Sequence, residues 1–256
     1  MKAMVLAAGL GTRLRPLTND RPKALVEVSG RTLLEITLTR LRDFGINDVI
    51  INVHHYADMV MNHVKDAGNF GMHIEFSRED VLLDTGGGLK KAAWFLAASG
   101  DPSANPTSTT KDEPFILHNV DVISNIDLQR MVEAHKQSAA LATLAVQDRK
   151  TSRYLLFNHH LQLCGRRLVK EEKTGIVRPS QNMAELAFAG IHVISPRIFP
   201  LLTEDGIFSI IPAYLRLAAQ GEKIQAFRAD EYHWRDLGKP ENIQQAERDL
   251  KANIFK

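Results

Sequence analysis

Short apolar runs alternate with amphipathic segments over the first 120 or so residues, and this alternation limits the possible folds more than any other feature. Ala3 to Ala8, Val49 to Val53 and Pro114 to His118 are runs of the kind typical of strands buried on both faces. Leu34, Leu38 and Leu41 recur at helical spacing between the first two runs. Strands that alternate with helices predict an α/β fold, here a three-layer α/β/α Rossmann-like fold on a mixed, mostly parallel sheet.

Further segments extend this pattern along the chain. We predict strands at 73–77, 141–146, 154–157, 187–194 and 224–227, and helices near 57–67, 89–98, 127–137, 210–219 and 240–250. The β-rich segments beyond Asp121 predict a mixed sheet extension, which could lie over the parallel part. Segment 99–112 is rich in Ser, Thr and Pro without an apolar period, so we expect an exposed loop there.

Charge and composition exclude several classes of protein. The 256 residues carry 32 basic and 30 acidic side chains, and this balance argues against a nucleic-acid-binding protein. The N-terminal apolar run is cut by Gly9 and Gly11 far below the roughly 20 residues of a membrane span, so no membrane partner is expected. Cys164 is the only cysteine, which excludes an internal disulfide and fits a reducing cytoplasm.

The histidines do not predict a metal site. His54-His55 and His159-His160 are adjacent pairs, and neighbouring side chains on a strand point to opposite faces. They would therefore make poor joint ligands for zinc.

A glycine loop follows the first strand and carries the strongest chemical signal. Gly9-Leu10-Gly11-Thr12-Arg13 comes directly after Ala7-Ala8, and Arg21-Pro22-Lys23 lies close behind. Glycines let backbone N–H groups approach a phosphate chain, and Arg13 and Lys23 add positive charge. The spacing matches neither the dinucleotide fingerprint nor the P-loop, and the G-x-G pattern alone would also suit a tight turn.

The whole run AAGLGTRLRPLTNDRPKAL closely resembles the signature of the sugar-1-phosphate nucleotidyltransferases, the NDP-sugar pyrophosphorylases, and the resemblance extends over essentially the whole chain. It implies a nucleotide-diphospho-sugar transferase fold in a single domain, 1–256. The halves would be a nucleotide-binding part, 1–125, and a sugar-phosphate-binding part, 126–256. The resemblance further implies that Ala7, Ala8, Gly9, Gly11, Thr12, Arg13 and Lys23 contact the nucleotide.

A second matching segment is Leu83-Asp84-Thr85-Gly86-Gly87-Gly88, between a strand and a helix. The family has a glycine-bearing turn there, which lines the base and ribose pocket. The resemblance therefore implies that Leu83, Thr85, Gly86 and Gly87 bind nucleotide. A helix N-terminus capped by Thr85 is the structural alternative.

Two aspartates complete the resemblance. Asp121 ends His118-Asn119-Val120-Asp121, and Asp236 lies in Trp234-Arg235-Asp236-Leu237-Gly238, close to the family's W-x-D-x-G. The resemblance implies that both carboxylates hold Mg²⁺, with Asn119 at the nucleotide. Mg²⁺ prefers oxygen ligands and usually keeps one or two protein carboxylates. Either aspartate alone would equally suit a surface or capping role.

The implied reaction is attack by the sugar phosphate oxygen on the α-phosphorus of an NTP, with release of pyrophosphate. It needs alignment and charge neutralisation rather than a protein nucleophile. In that scheme Arg13 holds the departing phosphates and Lys23 offsets charge near the α-phosphate, so we assign both as catalytic.

The sequence predicts the site for the sugar-1-phosphate less clearly. The family's F-x-E-K-P segment has its nearest counterpart in Val169 to Gly175, which lacks the Phe and the Pro. Glu172 and Lys173 are therefore candidates for the sugar phosphate, with a solvated charged hairpin as the alternative. Gly190 in Phe188-Ala189-Gly190-Ile191 matches the family's strand beside the sugar, where glycine would allow close approach to ligand.

The length and the LDTGGG text resemble the compact members, N-acetylmuramate-1-phosphate uridylyltransferases and mannose- or heptose-1-phosphate guanylyltransferases. UTP or GTP is therefore favoured as substrate, and the product would supply nucleotide-sugar for cell-wall or surface polysaccharide synthesis. The identity of the base, the identity of the sugar and the homo-oligomeric state stay open. Alternatives are an enzyme for a non-sugar phosphate such as phosphocholine, a non-catalytic nucleotide-sugar-binding regulator, and a glycosyltransferase. The lack of an aromatic cage argues against the phosphocholine enzyme. The presence of Arg13, Lys23 and both aspartates argues against the regulator, and the absence of a D-x-D pair at Asp121 argues against the glycosyltransferase.

Overall fold

A computed structural model describes residues 1–97 and 113–255 of the chain. The predicted loop at 99–112 and the last residue of the predicted 89–98 helix lie outside these ranges. No helix within the described residues is long and apolar enough to span a membrane.

The strands are β1 (Lys2–Leu6), β2 (Glu27–Val28), β3 (Arg31–Thr32), β4 (Asp48–Val53), β5 (His73–Arg78), β6 (Phe115–Asn119), β7 (Val122–Ser124), β8 (Ala142–Gln147), β9 (Arg153–Phe157), β10 (Leu163–Leu168), β11 (Lys173–Ile176), β12 (Ala184–Ile194), β13 (Ile224–Arg228) and β14 (Trp234–Asp236).

Helices connect most of these strands in the first half and follow them in the second. They are α1 (Leu33–Asp43), α2 (Ala57–Asp66), α3 (Asp84–Lys91), α4 (Ala93–Leu96), α5 (Leu128–Ser138), α6 (Ile210–Ala219) and α7 (Pro240–Lys251). Two of them begin at residues that cap them. Thr32 Oγ1 accepts from Glu35 N at 3.1 Å at the start of α1, and Asp127 Oδ1 accepts from Arg130 N at 2.9 Å at the start of α5.

One ten-stranded mixed sheet runs through the molecule in the order β11-β10-β9-β12-β6-β1-β4-β5, with β8 joined to β12 and β13. Strands β6, β1, β4 and β5 are parallel to one another, and β12 joins antiparallel to β6. The predicted fold class is confirmed. The β-rich second half continues the edge of the parallel part and does not lie over it, because β12 takes the hydrogen bonds of β6 that an edge strand would leave unpaired.

The sheet is buried on both faces, which explains the continuous apolar runs in its central strands. Ala3 and Val5 of β1 belong to one core cluster, with Leu38 of α1. Met4, between them, faces the other way into a second cluster with Leu89 of α3. All five side chains are fully buried. Burying a leucine of this kind stabilises the fold by roughly 1.5–3 kcal/mol, so the two clusters hold three layers together.

A small two-stranded sheet returns the C-terminal part of the chain to the parallel strands. Strand β14 pairs antiparallel with β7, with Asp236 opposite Val122 and Trp234 opposite Ser124. Since β7 follows directly after β6, this pairing places the end of β14 beside the carboxyl edge of the main sheet.

Candidate active site

A cleft of about 450 Å³ opens at the carboxyl ends of β1, β4 and β6. This is the edge at which open α/β sheets bind ligands, and the volume lies in the usual range for small-molecule sites. Its lining includes residues that the sequence analysis predicted and residues that it did not. It is lined by Leu6, Ala7, Ala8, Gly9, Lys23, Asn52, Leu82, Asp84, Thr85, Asn119, Val120, Asp121 and Ile207.

The glycine loop folds back on itself and brings Lys23 to the cleft. Gly11 has a φ of 64°, in the left-handed region that favours glycine. A Cβ there would lie 2.9 Å from Thr18 Cγ2 and 3.1 Å from Lys23 Cβ. Thr18 Oγ1 also donates to Gly11 O at 2.9 Å. Any other residue at Gly11 would therefore be strained and would displace Thr18 or Lys23.

Lys23 contacts one of the two predicted metal carboxylates, and the segment that carries the other lies next to it. Lys23 Nζ donates to Asp121 Oδ2 in a short ion pair whose side chains are 11% and 19% exposed. Leu237 N donates to Asp121 O at 2.7 Å, which fixes the residue after Asp236 against Asp121. The fold thus places the Asp121 and Asp236 segments side by side although they are far apart in sequence, and their role as metal ligands stays a prediction.

Arg13 lies beside the Asp236 turn. Like Gly11, Thr12 and Asp236, it is outside the cleft lining. Thr12 and Arg13 lie in a single 3-10 turn, Thr12–Leu14. A Cβ on Gly238 would lie 2.9 Å from Arg13 Nη2 and 2.8 Å from Asp236 Oδ1, so both groups surround this glycine. Asp236 Oδ1 accepts from Gly238 N at 2.7 Å. A glycine is thus required where the guanidinium packs against the carboxylate turn.

A buried polar network behind the cleft was not predicted from the sequence. Asn52 Oδ1 accepts from Ala7 N at 2.7 Å, and Asn52 Nδ2 donates to Glu79 Oε1 at 2.8 Å. Glu79, only 3% exposed, accepts with Oε2 from Leu83 N at 2.9 Å. The network ties the glycine loop to the LDTGGG segment. A polar residue inside the otherwise apolar run Val49–Val53 was the available signal for Asn52.

The glycine triplet begins a helix and does not form a turn before it, in contrast to the prediction. Gly86 and Gly87 donate their N–H groups to Phe208 O at 2.9 and 3.1 Å. A Cβ on Gly86 would lie 2.3 Å from Phe208 Cε2, and one on Gly87 would lie 2.3 Å from Gly206 O. These glycines are needed because α3 packs tightly on the 206–208 segment. Neither they nor Leu83 belong to the cleft lining, and their contact with nucleotide stays a prediction.

Thr85 caps a helix, but not the one expected. Its Oγ1 accepts from Ile210 N at 3.0 Å, at the first residue of α6, while the side chain also lines the cleft. Asp84, which the sequence analysis did not assign, has a φ of 59° and accepts from Thr85 N at 2.6 Å. Ile207, 67% exposed at the rim, gave no signal in the sequence.

Arg40 and His118 support the aspartate segment from behind. Arg40 Nη1 donates to Ser124 Oγ at 3.0 Å and Nη2 donates to Ile126 O, which fixes β7 and the chain after it. Burial lowers the pKa of Arg40 to about 10 and that of His118 to about 3. His118 Nδ1 donates to Asn119 O at 2.8 Å, so the neutral ring can accept from Arg40 with Nε2 at 3.4 Å.

The predicted acceptor residues are divided between two places. Gly190, with a φ of 78°, lies on β12, where a Cβ would be 3.0 Å from Asn119 Nδ2. It therefore adjoins the cleft. Glu172 and Lys173 lie at the exposed β10–β11 hairpin, and β11 is separated from β6 by three strands of the sheet. The structure does not bring this pair to the cleft, and a solvated hairpin explains it.

The donor set fits magnesium. Within residues 1–97 and 113–255 no cluster of three or more His, Cys, Asp or Glu side chains could hold a metal ion. Asp121 nevertheless lines the cleft, and Asp236 lies on the adjoining strand, paired with Val122. Two carboxylates suit Mg²⁺, which keeps waters and substrate phosphates as its other ligands.

Comparison with solved structures confirms the fold. The chain has a TM-score of 0.75 to a putative glucose-1-phosphate thymidylyltransferase from Bacillus anthracis, at 18% identity over 97% of this chain and 94% of that one. It has a TM-score of 0.73 to HddC from Yersinia pseudotuberculosis complexed with GMP-PN, at 22% identity over 97% and 99% of the two chains.

Sequence relatives place the chain more closely. It is 35% identical to N-acetylmuramate alpha-1-phosphate uridylyltransferase from Caulobacter vibrioides, over 93% of this chain and 92% of the relative. It is 28% identical to mannose-1-phosphate guanyltransferase from Yarrowia lipolytica, over 95% of this chain but only 62% of that longer protein. The family model described as nucleotidyl transferase matches residues 2–253. The chain therefore belongs to the nucleotidyl transferase family.

Proposed function

We propose that this protein is a sugar-1-phosphate nucleotidyltransferase, which joins an NTP and a sugar-1-phosphate into an NDP-sugar and releases pyrophosphate. The observation that carries the proposal is that Lys23 and Asp121 form an ion pair in the cleft wall, while Arg13 and Asp236 meet at Gly238 on the segment bonded to Asp121. These are two cations and two carboxylates on four separate parts of the chain. Such an arrangement suits an anionic substrate and a divalent cation together.

The residues act by alignment and by charge. An oxygen of the sugar phosphate forms a bond to the α-phosphorus, the bond from that phosphorus to the bridging oxygen breaks, and the electron pair leaves with pyrophosphate. The attacking oxygen is already anionic, so no proton must be removed from it. Lys23 neutralises charge at the α-phosphate, and Arg13 binds the departing phosphates.

Asp121 and Asp236 would hold Mg²⁺, which when bound supplies positive charge to the phosphate oxygens of the substrates. Lys23 already pairs with Asp121 in the structure, so its side chain reaches one proposed metal ligand and also lines the cleft. The lysine therefore stabilises the free carboxylate and can turn to phosphate when substrate enters.

For the base, the proposal favours UTP or GTP. The Caulobacter relative is a uridylyltransferase that matches over nearly its full length, which makes UTP with N-acetylmuramate 1-phosphate the first pair to test. The product would serve cell-wall or surface polysaccharide synthesis. A reducing cytoplasm is part of the same proposal, since the single Cys164 is a buried free thiol.

The alternatives raised by the sequence are less favoured. A non-catalytic regulator has no need for Lys23, Arg13 and both aspartates on adjoining segments at the cleft. An enzyme for phosphocholine or a glycosyltransferase is not suggested by the relatives, which are named as sugar-1-phosphate nucleotidyltransferases.

The test is a pyrophosphate-release assay with Mg²⁺ and purified protein. UTP, GTP, CTP, ATP and dTTP are each combined with a panel of sugar-1-phosphates, and each substrate is also omitted in turn. We expect release that requires both substrates, and the best pair identifies base and sugar. No release with any pair would contradict the proposal.

A further inference from the structure

Arg149 lies in the turn after β8 and is held in one orientation by neighbours that carry no charge. Its guanidinium carbon lies 3.8 Å from the centroid of the Trp234 ring. Its Nη2 donates to Phe188 O at 2.7 Å. The ring is itself fixed, because Trp234 Nε1 donates to Ala189 O at 2.7 Å. The geometry is that of a cation placed on a rigid aromatic platform.

The charge of Arg149 is not balanced by a direct partner. Among the described residues it forms no ion pair with a carboxylate, in contrast to Arg78, Arg167 and Arg216, which do. Its Nε is buried and has no hydrogen-bond partner. Burial lowers its pKa, and the Asp236 charge opposes this only in part. A partly buried cation without an anion is costly, and such a group commonly serves a ligand.

The position of Arg149 is beside the acceptor end of the site. The platform residue Trp234 is two positions before Asp236 on β14, and the carbonyls of Phe188 and Ala189 directly precede Gly190 on β12. Gly190 in turn packs on Asn119, which lines the cleft. Lys23 lines the cleft from the glycine-loop segment. Arg149 is a further cation on the β12 and β14 side, near enough to Asp236 to feel its charge.

We propose that Arg149 binds the phosphate of the sugar-1-phosphate and orients it for attack on the α-phosphorus. This inference rests on the proposed function. A guanidinium presents two parallel N–H groups to phosphate, and a stacked one is already oriented. The position also accounts for the exposed place of Glu172 and Lys173, because the acceptor phosphate then does not depend on that hairpin.

The test separates charge from packing. Arg149→Met keeps an unbranched stem on the Trp234 ring and removes the charge, and Arg149→Lys keeps the charge without the fork. Arg153→Met removes an exposed arginine at the start of β9, four positions further along the chain, and is the matched control. For each variant, KM is measured for sugar-1-phosphate and NTP, together with the Kd of NTP alone and the thermal unfolding midpoint.

For Arg149→Met we expect KM for sugar-1-phosphate to rise by about 10- to 100-fold, the loss that one charge-assisted contact predicts. The Kd of NTP should change less than about twofold. Arg149→Lys should be intermediate, and added guanidinium ion should partly restore Arg149→Met. Arg153→Met should behave as wild type. A purely structural role would lower the unfolding midpoint, affect both substrates and give no rescue.

Each outcome decides between the two proposals. If wild type turns over and the KM for sugar-1-phosphate is unchanged in Arg149→Met, or if NTP binding falls equally, the Arg149 assignment is wrong and the proposed function stands. If wild type does not turn over, binding of sugar-1-phosphate in the presence of NTP decides by calorimetry. Binding that Arg149→Met abolishes supports Arg149 without the reaction, and a wild type that binds no sugar-1-phosphate overturns both.

Discussion

Lys23 and Asp121 form a direct ion pair, although 98 positions separate them in the chain. The pair joins the end of the glycine loop to the segment after β6. It joins the cation that we propose for phosphate to a carboxylate that we propose for the metal.

The ion pair predicts non-additive effects on turnover. Lys23→Met and Asp121→Asn should each lower kcat by about 10²-fold or more, because each removes charge from the transition state. The double variant should lose much less than the product of the two, since residues that act as a unit are not independent. Steady-state kinetics measures this, with the exposed Asp20→Asn as control. Fully multiplicative losses would show that the pair has no joint role.

Asp236→Asn should weaken the metal site while the local turn persists. The amide oxygen can still accept from Gly238 N, as Asp236 Oδ1 does at 2.7 Å, but the negative charge is gone. The Mg²⁺ concentration for half-maximal rate should rise by about tenfold or more, the effect of losing roughly 1.4 kcal/mol. Titrating Mg²⁺ back into chelator-treated enzyme measures this. An unchanged titration curve would remove Asp236 from the metal site.

Gly86→Ala should destabilise the fold more than a glycine substitution elsewhere. Its Cβ would lie 2.3 Å from Phe208 Cε2 and 2.9 Å from Phe208 O, so α3 or the 206–208 segment must move. Overpacking of this kind costs about 1–3 kcal/mol of unfolding free energy. Gly175→Ala is the control, since no heavy atom lies within 4 Å of its Cβ. Equal urea midpoints for the two variants would contradict the packing account.

Glu79→Gln should disturb the cleft from behind. The two Glu79 oxygens accept from Asn52 Nδ2 and Leu83 N, and a glutamine would turn a donor toward one of them. We expect a loss of about 1–3 kcal/mol in unfolding free energy and a raised KM for NTP. Asp80→Asn, at the exposed next position, should change neither. If Glu79→Gln binds NTP as wild type does, the network does not support the nucleotide pocket.

Three buried histidines predict loss of stability in mild acid. Burial lowers the pKa of His118 to about 3, that of His135 to about 4 and that of His192 to about 3, from an ordinary value of 6.5. The unfolded chain takes up protons below pH 6.5 that the folded protein does not. The stability is therefore complete above pH 6.5 and falls as the pH drops toward 4.

The expected slope is about 1.4 kcal/mol per pH unit for each of the three rings between these limits. Urea unfolding at pH 7, 6 and 5 measures it. His192→Gln should reduce the slope of unfolding free energy against pH by the contribution of one ring, whatever the stability of this variant at pH 7. A slope that the substitution leaves unchanged would show that His192 does not contribute.

Local patterns were sufficient to predict the fold class. Continuous apolar runs such as Val49–Val53 required a sheet covered on both faces, and the structure places α1 and α3 on opposite sides of β1. The position of the second half was not predictable, because strand pairing depends on contacts between distant segments. That β12 joins the edge of β6 follows from no pattern within either strand.

The candidate site, too, was predictable from the sequence only in part. Lys23, Asp121 and Asp236 could be named from motifs because family resemblance fixes residue types at fixed spacing. Asn52, Glu79 and Arg149 lie outside those motifs, and their partners are backbone groups or rings that only the folded chain supplies. Gly86 was assigned to nucleotide although its N–H group is bonded to Phe208 O, a contact across 122 positions that the sequence does not reveal.

The most direct test of the central claim follows isotope through the reaction. Sugar-1-phosphate labelled with ¹⁸O in its phosphate is incubated with the best NTP and Mg²⁺, and the products are analysed by mass spectrometry. The account predicts an NDP-sugar that retains all of the label and an equal amount of unlabelled pyrophosphate. Pyrophosphate formed without an NDP-sugar, or label lost to water, would contradict direct attack by the sugar phosphate.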